Sequence, residues 1–320
     1  MAVRPERVPA EQIKQRMLEA GRDLALESGA ALTIEHLRLE EIILRARVPR
    51  SSVYRMWPYK EDYIDDLLCY LAGPGSWFHS SAVFDPETFA VVERVIAENR
   101  HLLTTMAGRR ALLCEVVRLA VARNYLALSE SPAWRLHTAL VTTLGSSRNG
   151  KAREKIVAAL EEAQLQSRGS MVALFGHLAD VIGLRLLDPE RGVEHLMLAG
   201  GLLVQSLALR NVQVQAIAGT SDGSKVETLL NAPIPGPGLN GEPAGWSLAA
   251  FGYLALVDAF AELDPDFEPS ERPLGSLLRG GARQFHHPVA EHGNAGQRVG
   301  PEISGLALAQ QSLAVLAPAE

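Results

Sequence analysis

Aromatic residues make up only 6% of this 320-residue chain, and it holds just two cysteines. Few aromatics beside abundant Ala, Leu and Val favour helices over sheets. No stretch of any length alternates apolar and polar residues as a half-buried strand does. Cys69 and Cys114 are far apart and lack metal-ligand spacing, so they read as reduced, partly buried thiols. Also missing are a Gly-rich phosphate loop, a nucleophile elbow and a His-Glu-x-x-His pattern. With these go the usual routes to phosphoryl transfer, serine hydrolysis and zinc catalysis, and nothing marks an enzyme. The nine histidines are dispersed except for His286, His287 and His292, in a Pro- and Gly-rich stretch that preorganises no metal site. Neither a metal nor a cofactor is expected. Residues 1–16 are charged and have no apolar run, which predicts a cytoplasmic protein without a signal peptide.

A chain of this length suits two domains. Its charge is divided unevenly. Residues 1–60 carry eleven Lys/Arg against eight Asp/Glu, a net of +3, which leaves −9 on the other 260 of a chain totalling −6. A basic head on an acidic body suits DNA, because phosphate attraction is local and screened beyond about 10 Å.

Helical periodicity runs through most of the chain. Ile13, Met17, Ala20 and Leu24 share a face of a helix over about 10–28, with Gly29 as its stop. After the fourth helix, Gly73-Pro74-Gly75 separates head from body, and Asp85-Pro86-Glu87 is a strong helix start. Phe89, Val92, Ile96, Leu103 and Met106 then recur at helical spacing; a further helix begins near Arg109, and a shorter one covers about 132–144. Residues 151–187 are helical with a break expected near Arg168-Gly169-Ser170, and Asp188-Pro189-Glu190 is expected to open a helix to about Arg210. Asn231 to Gly245, with four prolines, is expected to be irregular. From Trp246 to Leu263 the chain is almost wholly apolar. That stretch is short of the roughly 20 residues that a membrane span needs and contains Asp258 and Glu262, so it reads as a buried helix or a subunit contact. Residues 264–320 read as a flexible tail. His79, His101, His137, His177 and His195, and Trp134, Phe175, Phe251 and Tyr253, read as ordinary surface or core positions, and none is assigned to a ligand.

The chemistry concentrates in residues 46–67. Leu39, Ile42, Ile43 and Ala46 form one buried face before a turn. Beyond it Val53 and Trp57 share an inward side, leaving Arg50, Ser51, Ser52, Tyr54 and Arg55 mostly outward; Pro58 closes that helix. Lys60-Glu61-Asp62 opens the next, with Ile64, Leu67, Leu68 and Leu71 on its apolar face. A helix-turn-helix uses this arrangement to push a short helix into the major groove, though three helices of an ordinary all-α domain would fit the periodicity as well.

Ala46-Arg47-Val48-Pro49-Arg50-Ser51-Ser52-Val53-Tyr54-Arg55-Met56-Trp57 followed by Tyr59-Lys60-Glu61 resembles the DNA-binding domain of TetR-family transcriptional regulators. The likeness covers about residues 10–72. Arg47 stands where the family usually has Gly, Pro49 where it has a capping Ser, and Trp57 where it has Phe. The resemblance implies an all-α protein: a three-helix DNA-binding head over 10–72 with the helix-turn-helix at about 38–57, and a helical ligand-binding and dimerisation body over 76–263. It further implies a homodimeric repressor on a palindromic double-stranded operator, released by a small-molecule effector whose identity and pocket stay open; no membrane partner is expected.

Arg50, Ser51 and Ser52 are candidates for base edges, since arginine can bond guanine O6 and N7 together. The resemblance places Tyr54 and Lys60 on phosphates, and Lys60 also opens a helix whose free N–H groups favour an anion. Arg38, Arg47 and Arg55 complete the DNA-binding set. Two alternatives remain: a helical enzyme or ligand carrier with an incidental N-terminal motif, and an interaction module that has lost DNA binding.

Overall fold

The computed structural model describes residues 9–27, 37–73, 86–144, 150–216, 221–239 and 241–269. The expected Gly29 stop, the Pro74-Gly75 break, Asp85, His79, the tail beyond residue 269 and its three histidines lie outside the described residues. The fold is mostly helical. The described residues fall into two compact units, one drawn from Met1–Val83 and Glu130–Arg168, the other from Phe84–Ser129 and Gly169–Glu320.

The first unit contains α1 (Ala10–Glu27), α2 (Leu39–Ala46), α3 (Arg50–Met56), α4 (Lys60–Ala72), α7 (Pro132–Leu144) and the start of α8 (Gly150–Ile182). Its core joins Ile13 and Met17 of α1, Ile42 and Ile43 of α2, Val53 of α3 and Leu67 and Leu71 of α4, as the periodicity predicts. Leu136, Leu140, Ile156 and Leu160 enter the same core, so the four N-terminal helices are covered by chain from far along the sequence. The α1–α4 crossing depends on a glycine. A Cβ at Gly21 would sit 2.1 Å from Tyr63 Oη, and that hydroxyl donates to Met17 O at 2.8 Å. Tyr63 is fully buried and its phenol is pushed up by desolvation, so it stays a neutral donor.

The second unit contains α5 (Pro86–Glu98), a 3-10 turn (Arg100–Thr104), α6 (Met106–Glu130), the end of α8, α9 (Gly192–Ala216), α10 (Ser221–Asn231) and α11 (Leu248–Phe260). Val92, Val95, Ile96, Leu103, Leu112 and Val116 form a core against Leu178 and Val181. Arg109 is 3% exposed. Its guanidinium donates to Gly183 O at 3.2 Å and Asp264 O at 2.7 Å and lies 4.8 Å from the Phe267 ring centre. Carbonyls and a ring face thus satisfy a buried cation that has no carboxylate partner among the described residues.

Several expectations need correction. Phe89 and Met106 do not share a helix: α5 ends at Glu98 and the 3-10 turn intervenes before α6. No break occurs at Arg168-Gly169-Ser170; α8 runs unbroken from Gly150 to Ile182, because an interior glycine costs about 1 kcal/mol without forcing a bend. Asp188 does not open a helix directly. Its carboxylate accepts from the backbone N–H of Glu190 (3.0 Å) and Arg191 (3.2 Å) in a turn, and α9 starts at Gly192.

Residues 231–245 are not wholly irregular, since β2 (Ile234–Pro237) pairs antiparallel with β3 (Pro243–Trp246). Pro235, Pro237 and Pro243 fall on alternate rungs, which leaves the intervening rungs with N–H donors. Trp246 is fully buried and donates from Nε1 to Pro237 O at 3.1 Å. A second pair joins β1 (Leu184–Leu186) to β4 (Ala261–Leu263), so the apolar run ends in a strand rather than a helix. Asp264 N then bonds Gly183 O at 2.8 Å, which ties down the first residues of the expected tail.

Helices α9 and α11 pack face to face. A Cβ at Gly200 would meet the Tyr253 ring at 2.2 Å, and one at Gly252 would meet Leu203 at 3.0 Å. Ala249, Ala250, Tyr253, Leu254 and Val257 are buried, so one side of α11 is covered by its own chain, while Phe251 is 40% exposed. A longer exposed apolar stripe lies on α9, where Leu198, Leu202 and Leu209 are 63%, 56% and 38% exposed. Residues 192–215 are also long and apolar enough to cross a membrane, by length and composition alone.

Candidate nucleic-acid interface

Two short helices and the turn between them build the candidate surface. α2 carries Glu40 and Glu41 in its first turn and Arg45 in its last, each matched to the helix dipole. It stops at Arg47, whose φ of 51° and ψ of 48° are left-handed, the only positive φ outside glycine among the described residues. Arg47 N–H returns to Leu44 O at 3.3 Å. This is the conformation for which glycine is the usual choice. Pro49 follows with φ −66° and ψ 127°, and its carbonyl accepts from Ser52 N at 3.0 Å and Val53 N at 3.3 Å. No side chain caps α3, as the loss of serine at that position predicts.

The inward side of α3 is firmly held. Val53 is fully buried and Trp57 is 2% exposed. The Trp57 ring meets Tyr63 edge-on at 5.2 Å and its Nε1 donates to Asp66 at 3.0 Å, where Lys14 also pairs at 3.0 Å. An indole anchored at both its ring and its N–H leaves α3 little freedom to roll on α4.

The outward side then follows from the helix period. Arg50, Ser51, Tyr54 and Arg55 are exposed and Ser52 is half-buried. Arg38, just ahead of α2, and Arg47 in the turn are exposed, while Lys60 is half-buried at the first position of α4. Tyr59 N–H donates to Asp62 at 3.3 Å and steadies that helix start. Residues 37–60 hold six Lys/Arg and two Glu, so this surface is basic in an acidic protein. Arg38, Arg47 and Arg55 have no ion pair among the described residues.

Arg50 and Tyr54 are differently placed. Both bind Glu40: Tyr54 Oη donates at 2.6 Å and the Arg50 guanidinium forms an ion pair. Glu40 was not among the sequence candidates, because at a helix start it reads simply as dipole-matched. The signal that points to it is spatial, since it lies ten residues before Arg50 on another helix. Beside this surface, Ala10, Ile13, Ser52, Arg55 and Met56 line a hollow of about 230 Å³ between α1 and α3.

Cys114 is buried and Cys69 half-buried, and desolvation raises both thiols, which keeps them protonated. His195 lies 6.5 Å from the Phe260 ring, and Phe175 stacks at 6.4 Å on Tyr253 in the α9–α11 region. No protein-family model, curated protein or solved structure matches the chain.

Proposed function

We infer that this protein is a TetR-like, sequence-specific DNA-binding regulator: a cytoplasmic homodimeric repressor, without catalytic activity, released from a palindromic operator by a small molecule. The observation that carries the reading is the left-handed Arg47 between α2 and α3, with Val53 and Trp57 buried behind an outward row of Arg50, Ser51, Tyr54 and Arg55. A short helix with its back anchored and its front basic is suited to the major groove. In this reading Arg50, Ser51 and Ser52 meet base edges. Arg38, Arg47, Tyr54, Arg55 and Lys60 hold phosphates and set the register.

The homodimer rests on the stripe of α9. Leu198, Leu202 and Leu209 follow i, i+4, i+11, a single line along the helix, and each buried leucine is worth roughly 1.5–3 kcal/mol. A second copy of the same stripe would cover it symmetrically. A membrane suits α9 less well: it also carries Glu194, Gln205, Arg210 and Gln213, and its Gly200 side is already occupied by Tyr253.

Selection from a random-sequence duplex pool tests the reading. The retained fraction should converge on a two-fold symmetric motif with half-sites about 34–36 Å, or a multiple, apart. A pool that is retained without enrichment of any motif overturns it.

A further inference from the structure

Glu40 stands in the first turn of α2 and reaches across to α3. One carboxylate takes both the Tyr54 hydroxyl, at 2.6 Å, and the Arg50 guanidinium. Arg50 and Tyr54 are one helical turn apart, so Glu40 closes over a single face of α3. All of this lies at the surface, the Arg50 and Glu40 side chains being 66% and 49% exposed. Arg38, Arg47 and Arg55 are not ion-paired among the described residues, so the cations of this surface fall into two sets.

The two sets answer DNA differently. An unpaired arginine gains from any phosphate, whatever the sequence. Arg50 must first leave Glu40, and at a phosphate it exchanges one anion for another while the released carboxylate faces the same polyanion. A guanine edge offers more: O6 and N7 together match the guanidinium fork. We propose that Glu40 is a selectivity gate for Arg50, withholding it from backbone phosphates and yielding it to guanine. This inference rests on the DNA-binding reading and names the base that the surface selects. The Tyr54 hydroxyl holds the carboxylate in position while no DNA is present.

The test is a double-mutant cycle in the full chain: parent, Glu40→Gln, Arg50→Ala and the two combined. Each is titrated with the duplex selected from the pool and with a scrambled duplex between 50 and 200 mM salt. Glu40→Gln should bind the scrambled duplex about twofold to fivefold tighter, the worth of an exposed pair. Its salt slope should steepen by about 0.9 as Arg50 joins a phosphate, and its preference for the selected duplex should fall. In the Arg50→Ala background the same substitution should change scrambled binding by less than about twofold. Equal tightening in both backgrounds would show that Glu40 acts only as a repelling charge, and would overturn the gate. So would an unchanged preference in Glu40→Gln beside a parent that binds selectively. A parent that binds no duplex selectively removes the DNA-binding reading, and the gate with it.

Discussion

Arg47 offers the sharpest test of the surface geometry, because two substitutions there share every effect except one. At φ 51° and ψ 48° its backbone is left-handed. In that region the Cβ of an L-residue crowds the following carbonyl, which costs about 1–2 kcal/mol. Arg47→Ala keeps the Cβ, and with it the strain. Arg47→Gly removes both, but glycine also frees the unfolded chain and so returns roughly 0.5–1 kcal/mol. Both substitutions delete the same exposed cation at the C-terminal end of α2, so dipole and phosphate effects cancel in the comparison. Glycine should therefore be the more stable of the two by about 0.5–1 kcal/mol. Thermal unfolding followed by circular dichroism would read this as about 1–4 °C. Urea titration should move the midpoint without changing the slope. If Arg47→Gly is no more stable than Arg47→Ala, the residue is not held left-handed in solution, and the turn between α2 and α3 has another shape.

Three further outcomes follow from named contacts. Arg50→Ala should relax selection at one base position and cost about 1–3 kcal/mol on the selected duplex, while Lys60→Ala should weaken all duplexes alike and flatten the salt slope by about one; filter binding across salt separates them. Gly21→Ala puts a Cβ 2.1 Å from Tyr63 Oη, so overpacking of about 1–3 kcal/mol should appear as a lowered urea midpoint, and an unchanged midpoint would mean that α1 and α4 do not cross there. Leu202→Glu should yield monomers in sedimentation with helical circular dichroism intact, because Leu202 is 56% exposed and its loss leaves the subunit core untouched; dimers that persist would take the subunit contact away from α9.

Much of the helical frame was legible in the sequence because amphipathic spacing and cap residues act locally. The faces of α1, α2 and α4 and the inward pair Val53 and Trp57 all lie in the first unit's core. The errors arose where local signals compete with distant ones. Gly169 resembles a breaker, yet nothing lies within 4 Å of where its Cβ would be, and helical hydrogen bonding simply continues through it. The four prolines before Trp246 argued against regular structure, but the spacing of Pro235, Pro237 and Pro243 suits a two-stranded ladder once Trp246 packs beneath Gly236. The apolar run at 246–263 read as a buried helix or a subunit contact, and the structure gives a helix covered on one side. One side of the helix is buried against its own chain through Ala250, Tyr253, Leu254 and Val257, while Phe251 stays 40% exposed. The sequence of α9 is less conspicuous because polar residues interrupt it, and that same mixture leaves a stripe at the surface.

For the candidate site the sequence names residues but not their pairings. The sequence motif and its resemblance nominate Arg38, Arg47, Arg50, Ser51, Ser52, Tyr54, Arg55 and Lys60, but which of them are ion-paired depends on how α2 crosses α3. If Arg50, Ser51 and Ser52 are the base-reading side chains, one head reads about three base pairs, each worth roughly 1–3 kcal/mol of discrimination. Against the about 10⁶–10⁹ competing sites of a genome, that is too little for one address. Two heads on a symmetric operator double the discriminating energy, and linkage converts the second contact into an intramolecular one. In the proposed reading, the exposed leucines of α9 and the short helix α3 would answer the same need. On that proposal a head this small needs something else in the chain to pair it with a second, and among the described residues the α9 leucines offer an exposed apolar line for it.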